Sequence, residues 1–222
     1  MPTLESLLPS LGILLLAIVL IWFTVGTQVN IRRGNRVLAW LQEGLPTLGP
    51  RATLRWLGSS VAELTIVEPR PPFREAVVLV VLEPRDLGAI WLAARARGRR
   101  DVLVFRLSLR QAPRAHAELA ASGAWDPTGA RTDLEPPESR EGWTDATGTE
   151  IQLAHDATTD AGRLRDAWDR LARTAGGAWR LSVNPLVPHL EVHLPLPVSD
   201  GVSSRQVLES VRDLATEVSD GT

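Results

Sequence analysis

The run His189-Leu190-Glu191-Val192-His193 brings together two imidazoles and a carboxylate, side chains that ligate metals or move protons. On a β-strand the three polar residues share one face. Neighbours two apart lie about 6.7 Å from each other along a strand and could share one ion. His189 and His193 lie roughly 13 Å apart by the same rise and could not. A metal would need two of the three plus ligands from elsewhere, with His155 and the adjacent Asp156 the closest in kind. The same pattern suits a polar strand face opposite Leu190, Val192 and Leu194. Histidines without a defined ligand set favour that second reading. His155, His189, Glu191 and His193 are therefore weak metal candidates, and no cofactor is expected.

Other chemistries have less support. With no Cys, thiolate nucleophiles, thiolate metal sites and disulfides are excluded. No Ser sits in a G-x-S-x-G elbow. All 24 basic residues are Arg, so the lysine of a phosphate-binding loop is missing, and no G-x-G-x-x-G follows a strand. Glu135 and Glu138 lie in a polar stretch and read as solvated. The sequence nominates no catalytic residue, and a non-enzymatic role is preferred.

Arginines form two groups. Arg95, Arg97, Arg99 and Arg100 gather at the end of a predicted helix, where positive charge also suits the helix dipole. No nucleic-acid reader motif accompanies them, so nucleic acid is not an expected partner. Arg32, Arg33 and Arg36 follow an apolar run. Both groups are read as membrane-surface residues, since anionic headgroups attract each surface arginine by about 1 kcal/mol.

The elements that must position these groups begin with that apolar run, Leu7 to Gly26. It is uncharged, and at about 1.5 Å per residue it crosses a hydrocarbon core of roughly 30 Å. A transmembrane helix is predicted over 7–29, with 1–6 outside the cytoplasm. The preceding MPTLES has no positive charge, and FTVGTQVN offers no clear small-x-small cleavage site, so an uncleaved anchor is expected. Trp22 and Phe23 suit the headgroup level, and the arginines after the run put the body in the cytoplasm.

The soluble part predicts an α+β fold on a mixed sheet. A basic, membrane-proximal half covers 30–119, an acidic Pro/Gly-rich excursion 120–149, and a β-α-β-β-α half 150–222. Ile31 to Gly44 reads as a continuation of the first helix or a second short one. Strands are predicted at 52–57, 61–67, 76–82, 102–109, 150–155, 179–183 and 190–194. The run AVVLVVL from Ala76 is continuously apolar, as in a strand covered on both faces. Helices are predicted from Asp86 to Arg97, Asp160 to Ala175, and from Ser203. The first would turn Leu87, Ile90, Trp91 and Ala94 to the core. Each half then contains a β-α-β unit, and the two could be related half-domains on one sheet.

Charge divides along the chain. From Ile31 to Arg114 there are 15 Arg against 7 acidic residues; from Ala115 onward there are 9 Arg against 18. The expected role is that of a single-span adaptor or accessory subunit of a membrane-associated assembly. Its partners would be the bilayer, its anionic headgroups, and an unidentified membrane or cytoplasmic protein. The alternative is a membrane-tethered enzyme or ligand-sensing domain whose site has no recognisable motif.

Overall fold

A computed structural model describes residues 4–114, 116–124, 139–156, 159–196 and 201–220. The first helix, α1 (Leu4–Gly44), runs without a break for 41 residues. The apolar run and the segment after it are therefore one rod, about 60 Å long. Its two ends live in different surroundings. From Leu8 to Val25 every side chain is exposed, although most are large and apolar. Further on, Gly26, Asn30, Gly34, Val37, Leu38 and Leu41 are buried along one stripe, at the spacing of a helix with one covered side. Among the described residues, this is the one helix long and apolar enough to cross a membrane.

The rest is α+β. In chain order come β1 (Arg51–Trp56), β2 (Val61–Val67), β3 (Phe73–Val81), α2 (Gly88–Ala96), β4 (Val102–Leu109), β5 (Ala117–Ala121), β6 (Ser139–Thr144) and β7 (Glu150–His155). Then follow α3 (Ala161–Ala175), β8 (Arg180–Val183), β9 (Leu190–Pro195) and α4 (Ser204–Asp220). The strands form one nine-stranded sheet in the order β1-β2-β3-β4-β9-β8-β5-β7-β6.

Every neighbouring pair is antiparallel, so the mixed sheet expected above narrows to an antiparallel one. The two expected β-α-β units separate here. β3 and β4 are direct antiparallel neighbours, so α2 spans the end of a hairpin and makes no crossover. β7 and β8 flank β5 and each runs antiparallel to it, so they are parallel to one another. The β7-α3-β8 segment is thus a split β-α-β unit. The halves are joined where β4 pairs with β9.

α3, α4 and the second part of α1 pack on one face of the sheet. Asp160 caps α3 by accepting from the Arg163 amide, and Gly176 ends it in the left-handed conformation that glycine adopts freely. Leu164, Trp168 and Leu171 of α3 meet Val207, Val211 and Leu214 of α4 in the same core as Val78, Val80, Phe105 and Val192. Trp168 is fully buried, and its indole N–H donates to Asp145 Oδ2 at 3.1 Å. On the other face Val81, Val102 and Val104 make a small cluster with Leu79 and Trp179. Val77 and Leu79 are half-buried, so β3 is fully covered on one face and partly on the other.

β6 falls inside the stretch read as an acidic excursion. It forms one edge of the sheet, and Trp143 on it packs against the core beneath the Arg165 guanidinium. Trp125, Glu135 and Glu138 lie outside the described residues.

Candidate functional site: the junction of the apolar helix with the sheet

Where α1 leaves its exposed, apolar stretch it meets the hairpin end carrying α2. The contact is close. A Cβ on Gly26 would sit 2.5 Å from the Arg85 carbonyl carbon and 2.6 Å from Asp86 Cα, so only glycine lets the helix approach the backbone there. One turn earlier, the Trp22 indole N–H donates to Arg85 O at 3.0 Å. The Trp22 ring lies 6.3 Å from that of Trp91 on α2. One turn later, Asn30 is fully buried; its amide donates to Glu83 O at 3.1 Å and its carbonyl accepts from Arg85 Nη1 at 3.2 Å.

Behind these contacts lies a charged network. Glu83 follows β3 and Asp101 precedes β4, so the two carboxylates bracket α2, and both are buried. Asp101 accepts from the Glu83 amide at 2.7 Å and takes a two-pronged contact from Arg85 at 3.0 and 2.9 Å. Arg33 of α1 pairs with the same carboxylate at 2.5 Å. Glu83 accepts from Arg95 at 2.9 Å and from the Trp91 indole N–H at 2.5 Å. Buried charge is tolerated only when paired and hydrogen-bonded, and both carboxylates are. The network ties α1 and α2 to the end of β3 and the start of β4.

The predicted membrane-surface arginines take distinct places. Arg33 and Arg95 are inside the network, and Arg99 is half-buried and donates to Leu82 O at 3.4 Å. Arg100 is exposed and donates to the carbonyls of Arg95 and Arg99. Arg32, Arg36 and Arg97 are exposed. Asp86 does not cap α2; it accepts from Ser59 Oγ at 2.5 Å, and the residue before the helix is Leu87.

The metal candidates are dispersed. His189 lies just before β9, and its Nδ1 accepts from the Leu109 amide at 2.9 Å. Burial, with the Arg74 guanidinium in support, holds its pKa below the ordinary imidazole value. Glu191 and His193 do meet on the far face of the sheet, at 2.8 Å. Glu191 also faces Arg180 at 3.4 Å and Arg106 at 3.3 Å, and Arg180 pairs with Glu118. Burial alone would raise the Glu191 pKa; the hydrogen bond and charge of His193, then Arg180 and Arg106, outweigh it and hold the carboxyl below the usual range. His155 lies on β7, contacting Asp156 O at 2.7 Å and Glu141 at 3.8 Å. Among the described residues no three His, Asp or Glu side chains converge in a way that could hold a metal.

Asn30, Glu83, Trp91 and Asp101 escaped the sequence reading as site residues. Their one signal is positional: acidic residues follow a continuous apolar strand and precede the next, on either side of a helix with a single charge. No protein-family model and no curated protein matches the chain.

Proposed function

We propose that this protein is a single-span, membrane-anchored adaptor or accessory subunit whose α+β domain is held at the cytoplasmic face. One observation carries the reading. α1 is a single helix whose first part is apolar and exposed on all sides, and whose second part is built into the core of the domain. Such a helix is stable in lipid and costly in water, because each exposed apolar side chain loses about 1.5–3 kcal/mol of transfer free energy. A flexible tether would leave domain and membrane independent. Here Gly26, Asn30 and the Asp101 network fix one to the other, as suits a subunit that must present a surface at a set height.

Orientation rests on Arg32 and Arg36, exposed directly after the apolar stretch, together with Arg97 and Arg100 on the same side of it. Of the seven candidate arginines, those four are exposed and take no part in the Glu83–Asp101 network. The protein partner is a membrane or cytoplasmic component of the same assembly.

The chain has no Cys, so single-cysteine reporters are clean. In intact cells, a membrane-impermeant maleimide should label Thr3→Cys and spare Thr216→Cys on the exposed side of α4; after permeabilisation both should react. Labelling of Thr216→Cys in intact cells reverses the topology. Loss of the protein to the soluble fraction on alkaline washing removes the anchor itself.

A further inference from the structure

α2 is turned inside out for a helix in water. Its single charge, Arg95, reaches back to the buried Glu83 while its side chain stays 48% exposed, and the indole N–H of Trp91 donates to the same carboxylate. Its outer surface is Leu87, Ala89, Ile90, Leu92, Ala93 and Ala96, all exposed and all apolar. Leu87 is 45% exposed, and Ile90 and Leu92 are each 58% exposed. A surface helix places its polar face outward, and large contiguous apolar patches mark a binding surface.

The depth of α2 identifies what covers that surface. The groove between α1 and α2, about 660 Å³, is lined by Ile18, Leu20 and Phe23 on one side and Leu87, Ile90 and Leu92 on the other. The helices therefore lie level over residues 18 to 23 of α1. If water reached that level, hydrocarbon would contain only Leu7 to Ile18, a rise of about 17 Å. A hydrocarbon core is about 30 Å thick, and needs the run to continue to about Gly26. Lipid must then extend alongside residues 18–23, and α2 lies there.

We infer that α2 is embedded in the cytoplasmic leaflet, with its outer face against acyl chains and its axis confined to one side of the bilayer. At about 13 Å it is too short to cross. At its start the Trp91 amide donates to Leu87 O, and at its end the Arg97 and Arg99 amides donate to Ala93 and Ala94 carbonyls. Arg85 and Arg95 are paired with Glu83 and Asp101, and the Asp86 carboxylate accepts a hydrogen bond from the Ser59 hydroxyl. Arg97 and Arg100 leave the far end of α2 exposed to phosphates. This inference rests on the proposal that α1 spans the membrane.

Spin labels on single cysteines test it in the full chain, reconstituted in phosphatidylethanolamine–phosphatidylglycerol vesicles. The positions are Leu15→Cys on the apolar part of α1, Ile90→Cys and Ala93→Cys on α2, and Thr216→Cys on α4. Collision with oxygen relative to a water-soluble nickel complex reads depth. Leu15, Ile90 and Ala93 should show ratios several-fold above Thr216. A high ratio at Leu15 with water-like ratios at Ile90 and Ala93 overturns the embedding and leaves the anchor standing. A water-like ratio at Leu15 overturns the anchor reading itself. Spin–spin broadening at Ile90 and Ala93 would assign the face to a second copy of the chain and also overturn the inference. Because Ile90 and Ala93 are exposed, folding should survive the label; a cooperative melt matching the unsubstituted protein checks this.

Discussion

Single residues in this protein owe their state to burial more than to type. Burial, with the Arg74 guanidinium in support, holds the His189 pKa below the ordinary imidazole value, and its Nδ1 accepts from the Leu109 amide. In the unfolded chain the same imidazole protonates below about pH 6.5. The folded pKa is depressed, so the unfolded state binds more protons once pH falls past that value, and stability drops. Glu191 and Asp145 also have depressed pKa values, Asp145 because hydrogen bonds from Thr147, Thr149 and Trp168 outweigh the cost of burying it. Their contribution is present above the ordinary carboxylate range and is lost as pH falls through the folded values. Acid unfolding should therefore begin below about pH 6.5 and steepen in the carboxylate range. His189→Asn, which keeps an acceptor for the Leu109 amide, should abolish the early phase alone. Melting temperature against pH measures this; an unchanged early phase would reassign it to another group. None of this is visible in the letters His189-Leu190-Glu191-Val192-His193. Alternation does pair Glu191 with His193, yet it cannot reveal that Arg180 and Arg106 arrive from neighbouring strands to saturate the carboxylate.

At the scale of elements, strong periodicity was readable and weak periodicity was not. β2, β4, β7 and α3 fall where alternation or a helical stripe places them, because their covered faces are made of Val, Leu, Ile and Trp. β5 is Ala-Glu-Leu-Ala-Ala and β6 is Ser-Arg-Glu-Gly-Trp-Thr. Neither has strand-forming composition, and both exist through pairing with β7, whose register is set from outside them. α2 shows the opposite difficulty. Its apolar residues are evident, but a hydrophobic stripe in sequence carries no label for whether protein or lipid covers it. The junction depends on one local feature, the absent side chain at Gly26. Gly26→Val should force α1 away from Arg85 and Asp86, since the added Cβ has backbone on one side and no flexible neighbour to displace. Losing the Asn30 and Arg33 contacts beneath it would strip a buried amide of its partners and leave Asp101 to Arg85 and the Glu83 amide, so the joint should loosen. The variant should insert normally yet lose protease resistance between residues 26 and 36. Wild-type resistance in that segment would mean the helix bends to accommodate the side chain without loosening the joint.

For the whole molecule, the separation of charge along the chain becomes a separation across the sheet. The basic stretch forms β1 to β4, one wing; the acidic stretch forms β9, β8, β5, β7 and β6, the other, with α3 and α4. The sequence alone suggests a basic layer facing lipid and an acidic layer facing away. The antiparallel topology places the two side by side instead, meeting where β4 pairs with β9. Anionic lipid should then tilt the domain, drawing the β1 wing down and lifting the β6 wing, while the junction resists. Screening acts over about 10 Å at 0.1 M salt, so the exposed wings feel it more than the paired charges at the junction do. Each surface arginine near the membrane is worth about 1 kcal/mol. Energy transfer from single labels at Thr53→Cys on β1 and Thr144→Cys on β6 to a headgroup acceptor reads the tilt in the full chain. In phosphatidylglycerol vesicles Thr53 should lie closer to the headgroups than Thr144, and the difference should shrink in high salt or in vesicles of phosphatidylcholine alone. If both distances ignore salt and lipid charge, the joint at Gly26 and Asp101 sets the pose by itself, and the asymmetry in charge serves a protein partner.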